Sequence, residues 1–153
     1  MSLREMLLEN WDFTMEKEDG YAPLSVALQD VTVEQALWKP GEGANSIWEN
    51  VMHLLFYKEV LLARIEGRAS DVRVSNDETF RIVDASEEAW REAQDRLKQV
   101  HAAVREKIQN VPEEELSEHP QRYWSFITHD AYHIGQIILL RKLQGSWPAT
   151  RVF

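Results

Sequence analysis

The sequence has 153 residues, of which 44% are hydrophobic and 28% are charged, and this balance predicts a single globular domain over residues 1–153. The net charge of −9 disfavours binding to nucleic acids and to anionic membranes, because both are themselves negatively charged. The chain contains no cysteine, which excludes disulfides, thiolate metal ligands and a cysteine nucleophile.

The chain shows no targeting or membrane signal. No apolar run approaches the roughly 20 residues that a membrane-spanning helix needs. The N-terminus, from Met1 to Glu5, lacks the basic stretch followed by an apolar stretch that is typical of a secretory signal. We therefore expect a cytoplasmic protein.

The first 40 residues predict short helical segments. Ser2 and Glu5 have the spacing of a capping box at a helix start. Gly20 interrupts the helical stripe and Pro23 suits the first turn of a renewed helix, so residues 3–30 form one kinked helix or two short ones. A short turn then begins at Thr32 and ends at the breaker sequence of residues 38–41.

The second main helix has the clearest start. Ser46 and Glu49 form a capping box before an apolar stripe that continues to Ile65, and Gly67 ends the helix. Residues 67–85 are polar and without helical periodicity, and we expect an irregular connection. Connections of this length are uncommon in compact domains and often cross over the fold or shape a site.

Two further long helices follow. Ser86 caps a helix that reaches Asn110 with one apolar face, and the acidic run at residues 113–115 is a solvated loop or a first helical turn. The last helix spans about residues 121–144. The apolar tail at residues 147–153 packs back on the bundle or on a second subunit. Four main amphipathic helices predict an all-α four-helix bundle.

Three of the five histidines are candidate metal ligands. His129 and His133 are four residues apart, on one helical face, separated by roughly 6 Å along the axis. His53 lies mid-helix among apolar residues, where an unpaired imidazole is costly to bury. Facing helices of a bundle could bring the three imidazoles together as a metal site with an open position. The alternative is three unrelated core histidines.

The other two histidines, His101 and His119, are predicted to be partly exposed and not to bind metal.

The sequence disfavours one competing kind of site, that of a zinc peptidase. Residues 129–133 resemble the H-E-x-x-H helix of zinc peptidases, with Asp130 at the position of the glutamate. Those enzymes take a third ligand downstream, whereas none of the 20 residues after His133 is His, Asp or Glu.

Several neighbours of these histidines are candidates to orient a ligand or to line a pocket, with ordinary packing as the alternative. Glu49, Asn50 and Tyr57 lie one turn from His53 along its helix. Tyr132 and Gln136 lie on the last helix, on the face of His129 and His133. Asp130 points about 100° away from His129 around the helix, which favours a supporting or packing role over that of a general base. Trp48 and Phe56 are more typical of core than of pocket walls.

Three stretches resemble the DinB/YfiT-like superfamily of bacterial four-helix-bundle proteins. They are Trp38-Lys39-Pro40 followed by residues 46–54, the H-x-x-x-H-x-G-Q pattern at residues 129–136, and the helix end at residues 141–145. The resemblance implies an up-down-down-up bundle, a divalent metal ion held by His53, His129 and His133, and a homodimer. Zinc and nickel suit imidazole ligands best, and iron or manganese also fit.

The resemblance leaves the reaction open. Known relatives include S-transferases that use low-molecular-weight bacterial thiols, a maleylpyruvate isomerase and metal-dependent hydrolases. We expect a metal-dependent enzyme with a small-molecule substrate, most simply a thiol-dependent S-transferase acting on small electrophiles. The alternatives are a metal-dependent hydrolase and a non-enzymatic metal- or ligand-binding module of a stress response. The sequence alone identifies no catalytic acid or base.

Overall fold

The computed structural model describes residues 1–68 and 73–149, and these residues contain seven α-helices, one 3₁₀ helix and no strand. In chain order the elements are α1 (Leu3–Met15), α2 (Leu24–Ala27), α3 (Val33–Leu37), α4 (Ile47–Ile65), the 3₁₀ helix (Asp77–Phe80), α5 (Glu87–Asn110), α6 (Glu113–Glu118) and α7 (Pro120–Leu143). The predicted all-α class is confirmed.

The long helices α4 and α5 run parallel. Near their N-termini the rings of Trp48 and Trp90 are 5.1 Å apart. Near their C-terminal ends Lys107 Nζ lies 3.9 Å from a carboxylate oxygen of Glu66, the residue that follows α4. Because the N-terminal ends of the two helices contact each other and so do their C-terminal ends, the helices have the same direction.

Both remaining long helices run the opposite way. In α1, Arg4 donates to the Ile108 carbonyl near the end of α5, whereas Trp11 donates to the carbonyl of His101, earlier in α5. In the same manner α4 and α7 pair in reverse order, through the contacts Asn50–His133 and Lys58–Asp130. The four long helices therefore form the expected up-down-down-up bundle.

Capping boxes explain where several helices start. The predicted box of Ser46 and Glu49 is present at the start of α4. A second box, formed by Thr32 and Gln35, makes a short helix where the sequence predicted only a turn. Within residues 3–30 the two-helix alternative is confirmed, since α1 and α2 are separate.

Two polar stretches between the long helices are partly helical. The acidic run at residues 113–115 is the first turn of α6, one of the two alternatives. The connection at residues 67–85 is not wholly irregular, because it contains the 3₁₀ helix. Of the tail, Trp147 places its ring 5.2 Å from the Arg141 guanidinium, while residues 150–153 lie outside the described residues.

The apolar stripes of the helices fill two core clusters. One contains Trp48 and Trp90, and the other contains Trp11, Leu61 and Tyr123. A buried tryptophan removes roughly 200 Å² from water, which at about 25 cal/mol per Å² gives about 5 kcal/mol of hydrophobic stabilisation before entropy is counted. These rings fix the spacing between helices and therefore where α4 faces α7.

Candidate metal centre

The three predicted ligands come together where α4 faces α7. His53 and His133 are buried and His129 is partly buried. Their ring centroids are 5.0 Å apart for His53–His129, 4.5 Å for His53–His133 and 4.6 Å for His129–His133. One nitrogen of each ring lies within 4.8 Å of the other two.

The spacing of the nitrogens suits one metal ion. The Nε2 atoms of His53 and His129 are 3.0 Å apart. Metal–imidazole bonds are about 2.0–2.1 Å long, so two nitrogens on one ion lie about 3 Å apart or slightly more. The three residues can therefore hold a divalent cation with small shifts of their side chains.

Thr79 fixes the tautomer of His53. The Thr79 hydroxyl donates its single proton to the backbone carbonyl of Asn76, at 2.5 Å. It can only accept in its second contact, which is with His53 Nδ1 at 2.6 Å. His53 therefore carries its proton on Nδ1, and its Nε2 presents a lone pair to the other two histidines.

Asn50 does the same for His133. The Asn50 Nδ2 group donates to the Ser46 carbonyl at 2.8 Å, which turns its Oδ1 towards His133. His133 Nδ1 donates to that oxygen at 2.7 Å. The Nε2 lone pair of His133 is thus left free for a ligand role, and the predicted supporting role of Asn50 agrees with this contact.

Burial keeps the cluster neutral. It lowers the pKa of His53 to about 4, with a smaller contribution from neighbouring His129. Burial also lowers the pKa of His133 to about 3, helped by the charges of His129 and His53. The pKa of His129 is lowered for the same main reason. Near neutral pH the three imidazoles are therefore uncharged, as metal binding requires.

Aromatic side chains surround His53. Phe80, at the end of the 3₁₀ helix, stacks on the imidazole with centroids 4.0 Å apart and planes 11° from parallel. Tyr57 meets the same ring edge-on at 4.9 Å. Thr79 and Phe80 both come from the long connection, which therefore shapes the site as its length suggested.

A cleft of about 310 Å³ opens onto the histidines. Its walls combine two metal-ligand candidates with aromatic and uncharged polar side chains: His53, Tyr57, Asn76, Ser125, Phe126 and His129. A larger cleft of about 600 Å³ lies at the C-terminal end of α7, around Arg141, and contains none of the three histidines. We assign function to the smaller cleft because two of the three candidate ligands, His53 and His129, line it.

Of the other residues that the sequence proposed near the site, one is engaged elsewhere and two lie beside His133. Glu49 does not approach the histidines, since its carboxylate caps α4 and pairs with Lys39 at 2.7 Å. Tyr132 is exposed, with its ring 5.1 Å from that of His133. The Gln136 side chain hydrogen-bonds His133, which partly offsets the lowering of the His133 pKa by burial and agrees with the supporting role predicted for Gln136.

The two aromatic residues expected to fill core do so to different extents. Trp48 is buried among apolar side chains and does not line the cleft. Phe56 is half-buried and packs edge-on against Tyr57, with centroids 5.3 Å apart.

The prediction that His101 is partly exposed is wrong. The ring is buried and stacks on Trp11, with centroids 4.6 Å apart and planes 19° from parallel. It is covered because α1 crosses α5 at this point. Neither ring nitrogen has a hydrogen-bond partner among the described residues. His119 is exposed at the junction of α6 and α7, as expected.

A buried ion pair lies beside the site and was not predicted. Lys58 Nζ and Asp130 Oδ2 are 2.5 Å apart, and both side chains are almost fully buried. The Trp11 ring lies 4.2 Å from the ammonium group. Asp130 thus has the packing role that its helical position favoured. The available signal was that Lys58 interrupts the apolar stripe of α4 between Leu54 and Leu61.

Comparison with known proteins assigns the family. The sequence model of the DinB superfamily matches residues 18–139, so the chain belongs to this superfamily. No curated protein and no solved structure matches the chain at a significant level. Among the residues that the structure describes, no helix has the length and apolar character needed to cross a membrane.

Proposed function

We propose that this protein is a metal-dependent enzyme whose divalent ion, zinc or nickel, is held by His53, His129 and His133. Iron or manganese would fit the same ligands less well. The observation that carries the proposal is that two of the tautomers are fixed: Thr79 and Asn50 each accept a hydrogen bond from the Nδ1–H of a buried imidazole. This arrangement leaves the Nε2 lone pairs of His53 and His133 free, as in metal sites whose ligand histidines are held by hydrogen bonds, and one nitrogen of each of the three rings lies within 4.8 Å of the other two.

The reaction that we propose is transfer of a low-molecular-weight thiol to a small electrophile. A divalent ion with three neutral ligands keeps its full charge and lowers the pKa of a thiol or water beside it. The thiol sulfur forms a bond to the electrophilic carbon, the leaving group departs with its electron pair, and the thiol proton passes to solvent.

The cleft suits a small, largely apolar substrate. Phe126 and Tyr57 provide flat aromatic walls, and Ser125 and Asn76 provide polar groups that can hydrogen-bond a substrate. Its volume of about 310 Å³ is at the lower end of the range for small-molecule sites. We further propose that the enzyme acts in the cytoplasm as a homodimer.

Two other functions remain as candidates for specific reasons. Hydrolysis is supported by the same neutral donor set, which suits an ion that activates water. A non-enzymatic metal- or ligand-binding module is supported by the lining of the cleft. Among its six lining residues, Tyr57 is the only titratable side chain besides the histidines, so the cleft offers no carboxylate as a general base.

A thiol-consumption assay separates these functions. Metal-loaded protein is incubated with a chromogenic chloro-dinitrobenzene and a panel of bacterial thiols. We expect thiol consumption above background, its loss in His133→Ala, and its retention in His119→Ala, which removes an exposed histidine outside the site. If no thiol is consumed, the transferase function is contradicted. Ester cleavage by the same sample would then favour the hydrolase, and inactivity in both assays would favour the binding module.

A further inference from the structure

The outward face of α7 carries almost no charge. All of α7 is described, and nine of its residues are exposed: Gln121, Trp124, Ser125, Thr128, Tyr132, Gly135, Leu139, Lys142 and Leu143. Lys142 is the only charged residue among these nine and lies in the last turn. We call these nine residues the α7 face.

The other long helix of equal length shows how unusual this is. Helices α5 and α7 both have 24 residues. Of the twelve exposed residues of α5, eight are charged: Glu87, Glu88, Arg91, Glu92, Asp95, Arg96, Lys98 and Glu106. The solvent-facing side of α5 is therefore densely charged, and the α7 face is not.

Large apolar side chains concentrate on the same face. The exposed fractions are 37% for Trp124, 65% for Tyr132, 55% for Leu139 and 57% for Leu143. These residues account for half of the exposed large hydrophobic residues in the described part of the chain. Their spacing of eight, seven and four residues places them on one stripe along the helix.

Gly135 lies in the middle of this stripe and is not explained by the fold of one chain. A Cβ atom added at Gly135 would meet no atom within 4 Å. Glycine in an exposed helix interior costs about 1 kcal/mol relative to alanine. A small residue between Tyr132 and Leu139 leaves a groove that a second helix can enter.

We propose that a second copy of this chain packs its α7 against the α7 face around a two-fold axis. Two chains of net charge −9 repel each other. The electrostatic cost of their association is therefore smallest where the surface of each has almost no charge. An antiparallel arrangement centred near Tyr132 places Trp124 of one protomer beside Leu139 of its partner. A membrane-surface helix would instead carry many Lys and Arg residues beside its apolar stripe.

This contact would also border the candidate active-site cleft. Ser125 belongs to the α7 face and lines the cleft, and the Tyr132 ring lies 5.1 Å from that of His133. Association would therefore cover one side of the cleft. The inference rests on the homodimer proposed above and names its surface, and it does not depend on metal binding.

Sedimentation velocity over the micromolar range tests the proposal with the full chain. We expect wild type to dimerise and Leu139→Glu to raise the dimer dissociation constant about tenfold or more, because each dimer would bury two unpaired carboxylates. Gly135→Gln, which fills the groove with a helix-favouring residue, should weaken the dimer as well. The matched control is Val83→Glu, at a residue that is 86% exposed and lies outside α7.

Each outcome bears on the proposal. A wild type that is monomeric throughout contradicts both the homodimer and the surface. A dimer that Leu139→Glu leaves intact, or that Val83→Glu weakens equally, contradicts the α7 face while the homodimer stands. If the wild type instead sediments with phosphatidylcholine vesicles and Leu139→Glu does not, the face binds lipid and the proposal is overturned. Circular dichroism of each variant verifies that it is folded.

Discussion

At the scale of single residues, two uncharged side chains decide which imidazole nitrogens are left free to bind a metal ion. Asn50 and Thr79 each make one bond to a backbone carbonyl and one to an imidazole. The backbone bond orients the amide or hydroxyl, and the imidazole must then donate. The tautomers of His53 and His133 are therefore fixed before a metal ion binds, and this preorganisation lowers the free-energy cost of binding.

Replacing Asn50 tests this arrangement. We expect Asn50→Leu to weaken divalent-metal affinity by about 10–100-fold, the usual effect of removing a group that orients a ligand histidine. Asn50→Asp should retain most of the affinity, because a carboxylate still accepts a hydrogen bond from His133 Nδ1. The dissociation constant is measured by titration against a chelator of known affinity.

Asn10 provides the matched control for this experiment. Its Nδ2 donates to the Met6 carbonyl four residues earlier, as Asn50 donates to Ser46, but it does not contact a histidine of the cluster. Asn10→Leu should therefore leave metal affinity unchanged. An Asn50→Leu protein that binds metal as tightly as wild type would show that tautomer control is unimportant.

At the scale of elements, the buried ion pair joins the two helices that carry the histidines. Lys58 lies on α4 five residues after His53, and Asp130 follows His129 directly on α7. Burial lowers the pKa of Lys58, and the Asp130 carboxylate opposes that shift. An ammonium group in this position stays charged only with its partner, so each residue constrains the other.

Removing one partner of the ion pair should destabilise the protein more than removing both. Lys58→Met leaves a buried carboxylate unpaired, and we expect a loss of about 3–5 kcal/mol in the free energy of unfolding of the metal-free protein. The double variant Lys58→Met/Asp130→Leu should recover most of this loss. Denaturant unfolding measures each value.

A surface pair provides the comparison. Arg96 pairs with Glu59 between α5 and α4, and both side chains are well exposed, so Arg96→Met should change stability by less than about 1 kcal/mol. If the double variant of Lys58 and Asp130 is no more stable than the single one, packing rather than the unpaired charge accounts for the loss.

The elements that the sequence predicts well are those with local signals. The capping box of Ser46 and Glu49 and the i,i+4 pair of His129 and His133 are visible without knowledge of neighbouring helices. Thr79 and Phe80 could not be predicted, because they contact His53 from a connection without helical periodicity. The burial of His101 also depends on a distant partner, Trp11 of α1.

At the scale of the whole molecule, topology explains why a connection completes the site. Helices α4 and α5 are parallel, so the chain must return along the length of α4, about 28 Å for 19 residues at about 1.5 Å each. The connection passes His53 on this return and places the 3₁₀ helix against it. An up-and-down bundle with short loops would have no such segment to orient His53.

The central claim is that the three histidines hold one divalent ion, and elemental analysis tests it most directly. Protein purified under metal-replete conditions should contain about one zinc or nickel ion per chain in the wild type and in His119→Ala. His53→Ala and His133→Ala should contain far less, because each loses one of three ligands. A wild type without stoichiometric metal, or variants that retain as much as the wild type, would contradict the account.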